Sequence, residues 1–190
     1  MKKGQKYPVE TLTKAEVERL LESCSKGPTG TRNRAILAVL WRTGLRISEA
    51  LALKPSDVDD RSLIVLHGKG DKRRVVSMDP TVKALLDLWI AQRKALGFNG
   101  RDPLFCTLKG EGLKTAYVRA LMKRLAADAG IDKRVHPHGL RHTMAFEMVN
   151  ERLPLNVIST QLGHSNLGTT ERYVNHLNPT AIIDVIWART

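Results

Sequence analysis

Residues 63–77 depart from the periodicity of everything around them. Leu63-Ile64-Val65-Leu66-His67 and Arg74-Val75-Val76-Ser77 are rich in β-branched residues and flank Gly68-Lys69-Gly70-Asp71. Two such runs around a glycine-rich tip predict a β-hairpin. Everywhere else the apolar spacing and the punctuation are helical. One hairpin among many helices must bury its inner face against them, so the expected fold is mainly α with a small antiparallel β-sheet, the α+β class.

The helices announce their ends. Thr13-Lys14-Ala15-Glu16 is a capping-box pattern opening a helix to about residue 21. Gly27, Pro28 and Gly30 break the chain, and a second helix is expected over 32–42, carrying Ile36, Leu37, Val39 and Leu40 and ended by Gly44. A short helix follows over 47–53, stopped by Pro55. Asp79 before Pro80 starts a helix to about 95. Further helices are expected over 113–127, 137–149 and 154–163. A short turn of helix is expected over 169–173, and Pro179 opens a last helix with Ile182, Ile183, Val185 and Ile186.

At 190 residues the chain suits one domain with a real core. Aromatics make up only 5%, so that core must be aliphatic. No apolar run approaches bilayer length, and the basic, polar first ten residues do not form a secretory signal. Cys24 and Cys106 lie far apart with no CxxC pair, which fits two small core thiols in a reducing, cytoplasmic compartment. Lys and Arg number 31 against 19 Asp and Glu, a net charge of +12. Such an excess attracts polyanions and favours nucleic acid as a partner. No strongly basic amphipathic helix with bulky apolar anchors supports a membrane-surface alternative.

Four segments place reactive or cationic side chains in constrained positions. In Thr43-Gly44-Leu45-Arg46-Ile47-Ser48-Glu49, Arg46 follows a glycine turn and opens a helix, where its planar fork suits two phosphate oxygens. Glu49, one turn on, can hold it; an ordinary surface ion pair fits the same spacing. Lys69 stands between two glycines on the hairpin tip, with Lys72, Arg73 and Arg74 behind it, although a solvated basic edge reads the same way. In His136-Pro137-His138-Gly139-Leu140-Arg141-His142, His138 and Arg141 share a helix face and can present an imidazole and a guanidinium to one phosphate. A core histidine, or a metal clamp of His138 with His142, competes; Gly139 in the place of a glutamate and the lack of nearby Cys or paired carboxylates weaken the metal reading. The fourth segment is Leu162-Gly163-His164-Ser165-Asn166 with Thr169-Thr170-Glu171-Arg172-Tyr173. A tyrosine with a pKa near ~10 becomes a useful nucleophile only beside cations or a base.

In this order Arg46, Lys69, His138, Arg141, His164 and Tyr173 resemble the tyrosine recombinase, or phage integrase, family. Its pattern is Thr-Gly-Leu-Arg-x-Ser-Glu, a hairpin Gly-Lys-Gly, His-x-x-Arg, and Leu-Gly-His with the tyrosine nine residues on; every step is matched here. The resemblance runs from about Thr11 to the C-terminus. It implies the family's DNA breaking-rejoining fold and a site-specific recombinase that integrates, excises, inverts or resolves DNA, typical of mobile elements.

The roles follow residue by residue. Arg46 and Arg141 hold the scissile phosphate, Tyr173 attacks it to give a 3′-phosphotyrosine, and Lys69 protonates the leaving 5′-oxygen. His138 accepts the tyrosine proton, His164 hydrogen-bonds the phosphate, and Glu49 supports Arg46. No ATP, metal or other cofactor is implied. The partners implied are double-stranded DNA, a monomer assembling into a homotetramer on synapsed DNA, and accessory DNA-bending proteins, with no membrane. Lys72, Arg73, Arg74, Lys114, Arg119 and Lys123 are candidate DNA contacts.

The organisation expected is a basic tail at 1–10, a catalytic domain at 11–178 and a C-terminal helix at 179–190 that packs on a neighbour or on its own core. The family's N-terminal core-binding domain is expected to be absent, as in small one-domain invertases, unless the chain is a fragment. A type IB topoisomerase has similar chemistry without synapsis, and a DNA-binding regulator could keep the fold without the reaction.

Overall fold

A computed structural model describes residues 11–66 and 73–163. Helix α1 (Lys14–Glu22) opens on the capping box expected from its sequence. The Thr13 hydroxyl accepts the Glu16 N–H at 3.2 Å, and the Glu16 carboxylate accepts the Thr13 N–H at 2.6 Å. Helix α2 (Pro28–Arg42) begins four residues before the expected start. Pro28 occupies the first helical position, where its missing N–H leaves no bond unmade, and Gly27 before it takes φ +85°. The Gly-Pro-x-Gly cluster therefore starts α2, while α1 has already ended at Glu22 with Ser23 as its C-cap.

Helix α2 is the centre of the molecule. Every residue from Ala35 to Trp41 is buried, which is the pattern of a helix enclosed on all sides. Helices α4 (Pro80–Ala95) and α6 (Pro137–Asn150) pack along it, and α1 bridges α2 to α5 (Thr115–Asp128). Helix α5 starts two residues later than expected because Leu113 is committed elsewhere, its N–H donating to the Phe105 carbonyl at 3.0 Å. Buried polar groups tie loops to this core. Trp89 Nε1 donates to the Leu104 carbonyl at 2.7 Å, and Arg32 donates to the Cys106 carbonyl at 3.0 Å and to the Tyr117 hydroxyl at 2.6 Å. Both cysteines are buried free thiols, and burial pushes Cys24 up to about 11.

The hairpin is present as expected. β1 (Ser62–Leu66) and β2 (Arg73–Ser77) pair antiparallel, with Ser62 opposite Ser77 and Leu66 opposite Arg73. Leu63, Val65 and Val76 are buried beneath it. Helix α7 (Leu155–Leu162) packs on α6 and on β2. Gln161 sews α7 to the strand, its Nε2 donating to the Ser77 carbonyl at 2.8 Å and its Oε1 accepting the Ser77 N–H at 3.1 Å. Gly163 closes α7 in the left-handed conformation, φ +65° and ψ +44°. The turn of helix expected at 169–173 and the C-terminal helix lie outside the described residues. A short helix, α3 (Ile47–Ala52), and a 3-10 turn at Pro55–Asp57 connect α2 to the hairpin. Among the described residues no helix is long and apolar enough to cross a membrane.

Candidate active site

The loop between α2 and α3 is fixed before Arg46 begins. The Thr43 hydroxyl donates to the Val39 carbonyl at 2.6 Å. Gly44 takes φ +64°, and a Cβ there would stand 2.7 Å from Met144 Sδ and 3.0 Å from Leu162 Cδ2. Only glycine accepts both the backbone angle and this approach to α6 and α7. The chain leaves the turn with Arg46 at the N-cap of α3 and its side chain 48% exposed.

Glu49 holds Arg46 twice. Its carboxylate accepts the Arg46 N–H at 2.9 Å and Arg46 Nη1 at 2.9 Å. The same carboxylate also accepts both Nη atoms of Arg74, at 3.0 and 3.1 Å. Burial alone would push Glu49 up, but the bonds from Arg74 and from Arg46 bring it down to about 2, so it stays a carboxylate. Arg74 is expected from the sequence, with Arg73, as a candidate DNA contact. In the structure Arg73 is exposed, whereas the Arg74 side chain is 14% exposed and turned in towards Glu49. Strand alternation is the reason: position 74 shares its face with buried Val76, and 73, 75 and 77 point outward.

Helix α6 presents the next pair. His136 caps it, Nδ1 accepting the Gly139 N–H at 2.9 Å, a role the sequence reading did not assign. Burial, then the charges of Arg134 and His138, lower the His136 pKa, which keeps that nitrogen an acceptor. Arg141, one turn further, is buried at 3% exposure and donates to two carbonyls, Gly44 at 2.5 Å and Leu162 at 2.6 Å. It therefore joins the α2–α3 turn to the end of α7. His138 lies between the arginines electrostatically: desolvation lowers its pKa first, and the charges of Arg141 and Arg46 lower it further. Its ring meets His142 edge to face, centroids 4.1 Å apart. Among the described residues no group of three or more His, Cys, Asp or Glu could hold a metal ion.

His138 opens onto a groove of about 1030 Å³ whose walls include Arg119, Lys123, Lys133, Arg134 and His136. Lys133 is held by Glu16 at 2.8 Å, whereas Arg119, Lys123 and Arg134 are exposed. Arg134 was missed in the sequence because it sits in a loop without a motif. Lys114 is exposed at the N-cap of α5 and is not among the groove's lining residues. The described structure thus gathers Arg46, Glu49, His138 and Arg141. Lys69, Lys72, His164 and Tyr173 lie outside the described residues.

The model of the phage integrase family matches residues 10–179. The tyrosine recombinase XerD of Neisseria meningitidis serogroup B is 36% identical over 171 residues, covering 88% of this chain and 58% of that protein. Among solved structures, that of XerA recombinase aligns at TM-score 0.84 with 33% identity, over 98% of this chain and 67% of the other. XerH recombinase, in a post-cleavage complex with a palindromic difH substrate, aligns at TM-score 0.78 with 29% identity, over 96% of this chain and 54% of the other. The chain spans a little over half the length of the curated relatives it matches. The fold is that of tyrosine recombinase catalytic domains. With the match running through all but the first nine and last eleven residues, the chain belongs to the phage integrase family.

Proposed function

We propose that this chain is the catalytic domain of a site-specific DNA recombinase that exchanges strands through a 3′-phosphotyrosine. The observation that carries the reading is the shared turn at Gly44: Arg46 leaves it at the start of α3, Arg141 donates to its carbonyl, and His138, one turn before Arg141 on α6, lines a basic groove. Two fixed guanidiniums suit the charge that builds on a pentacoordinate phosphate, and a neutral imidazole beside them can take a proton.

In the proposed reaction the Tyr173 oxygen attacks phosphorus as its proton passes to His138. The P–O5′ bond breaks, and Lys69 delivers a proton to the departing oxygen. His164 hydrogen-bonds the phosphate, while Arg46 and Arg141 hold its non-bridging oxygens. The new phosphotyrosine keeps the energy of the broken ester, so a 5′-hydroxyl from a second duplex can displace Tyr173 without ATP, metal or cofactor. Exposed Arg119, Lys123 and Arg134 would track the DNA backbone towards the scissile phosphate, with Arg73 and Lys72 from the hairpin and Lys114 at the start of α5. The XerH complex with difH substrate supports duplex DNA as the partner. Strand exchange between two duplexes calls for four protomers on synapsed DNA, formed from monomers, with DNA-bending proteins as helpers and the cytoplasm as the setting.

The test uses a duplex selected for binding from a randomised pool, nicked at successive positions so that the short 5′-hydroxyl fragment diffuses away after cleavage. The wild-type chain should form a DNA-linked band on a denaturing gel. Tyr173→Phe should bind the duplex and give none. An adduct from that variant would remove Tyr173 from its role, and relaxation of supercoiled plasmid without exchange between duplexes would favour topoisomerase chemistry.

A further inference from the structure

We infer that Arg74 is a positioning residue for phosphate binding: it acts through Glu49 on Arg46, and it ties the hairpin to the turn that ends α7. The inference rests on the recombinase reading proposed above.

Arg74 is built into the frame rather than presented to solvent. Both of its Nη atoms are on the Glu49 carboxylate, which is itself 8% exposed. The flat body of its side chain lies against Gly163. A Cβ on that glycine would meet Arg74 Nε at 2.7 Å and Cζ at 2.8 Å. The left-handed angle and the guanidinium thus both exclude a side chain at 163.

The consequence is a closed circuit of contacts. Gly44 leads through one intervening residue to Arg46, Arg46 is bonded to Glu49, and Glu49 to Arg74. Arg74 packs on Gly163, whose neighbour Leu162 gives its carbonyl to Arg141, and Arg141 returns to the Gly44 carbonyl. Both phosphate-binding arginines are therefore referenced to the same turn, Arg141 directly and Arg46 through Glu49 and Arg74.

Charge balance points the same way. A buried carboxylate facing Arg46 alone would make a neutral pair and weaken the pull of Arg46 on a phosphate. The two-pronged bond from Arg74 supplies the second positive charge, so the triad carries a net +1. Arg46 gives the carboxylate one side-chain nitrogen, Nη1, and nearly half of its side-chain surface stays open to solvent. The opposite reading makes Arg74 a DNA contact like Arg73, and the two differ in what they do to affinity and to charge sensitivity.

The experiment uses the full chain with the selected nicked duplex, carrying either phosphate or a neutral methylphosphonate at the scissile position. Arg74→Gln removes the charge and the fork. Arg74→Lys keeps the charge without the fork and is the second variant should glutamine unfold the protein; circular dichroism checks both. A folded variant should bind DNA within about twofold of wild type, with an unchanged salt slope. Its adduct rate at saturating DNA should fall roughly 100-fold on the phosphate substrate. On the methylphosphonate, which offers less charge for Arg46 to meet, the deficit should shrink to a few-fold. Weakened binding with a salt slope shallower by about one and an unchanged saturated rate would make Arg74 a phosphate contact and overturn the inference. Equal losses on both substrates would reduce it to general structural support. If wild type forms no adduct while Tyr173→Phe and wild type bind DNA alike, the recombinase reading itself fails, and the inference falls with it.

Discussion

The rings of His138 and His142 meet edge to face, 4.1 Å between centroids and 68° between planes. His142 thereby packs against the edge of the imidazole whose charge state Arg141 and Arg46 influence. Desolvation, Arg141 and Arg46 together hold His138 below its ordinary 6.5, so it is neutral and able to accept a proton at pH 7. Acidification through the lowered value protonates it and removes the acceptor. Adduct formation should therefore lose rate on the acid side with a midpoint below 6.5, and the His138 resonance in an NMR titration should follow the same curve. Arg46→Ala should move that resonance back up. A midpoint at or above 6.5 in the wild type would contradict the arrangement.

Glu49 predicts an acid-sensitive component of stability. Its folded value of about 2 lies below the ordinary 4.5, so the unfolded chain takes up a proton first as pH falls. The stabilisation is complete above 4.5 and is lost as pH drops through about 2. Glu49→Gln should therefore be less stable than wild type by roughly 3 kcal/mol at pH 7, with the gap more than halved at pH 3. Urea unfolding at the two pH values measures it. A gap that widens on acidification would reverse the assigned sign.

Gly44→Ala should damage stability and geometry together. The positive φ costs about 1–2 kcal/mol for an L residue, and the new methyl group pushes against Met144 and Leu162 for about 1–3 kcal/mol more. A total of roughly 2–5 kcal/mol by chemical denaturation is the expected outcome. A neutral substitution would mean that the turn is not needed in its observed form.

The groove makes a separate, electrostatic prediction. Arg119→Ala and Lys123→Ala should each weaken DNA binding about uniformly across sequences and reduce the slope of log affinity against log salt by about 1. Fluorescence anisotropy at several salt concentrations reads both. Lys133→Ala, whose ammonium is occupied by Glu16, should leave the slope unchanged and act on stability instead.

The order of elements was readable because its signals are local. Thr13 and Glu16 cap each other within four residues, Pro80 and Pro137 sit where helices begin, and the runs around residues 68–71 change period from helix to strand. The start of α2 lies earlier than expected because Gly27, Pro28 and Gly30 read as helix breakers, whereas proline also fits the first helical position. Glu49 as the partner of Arg46 followed from a one-turn spacing. Arg74 as its second partner did not, because 25 residues of chain separate them and a run of basic residues looks like a solvated edge. Strand alternation held the clue, since Arg74 and Val76 lie on one face. The capping role of His136 was hidden by its motif, which drew attention to the histidine two residues on. Arg134 carried no local signal; it belongs to the groove only through tertiary packing.

Helix α2 has no solvent-facing stripe between Ala35 and Trp41. Turning or sliding it would draw apolar surface into water at about 25 cal/mol for each Å². It therefore serves as a fixed axle, and the turn that bears Arg46 is mounted at its end. The position of the arginine along the chain is thereby indexed to the middle of the protein.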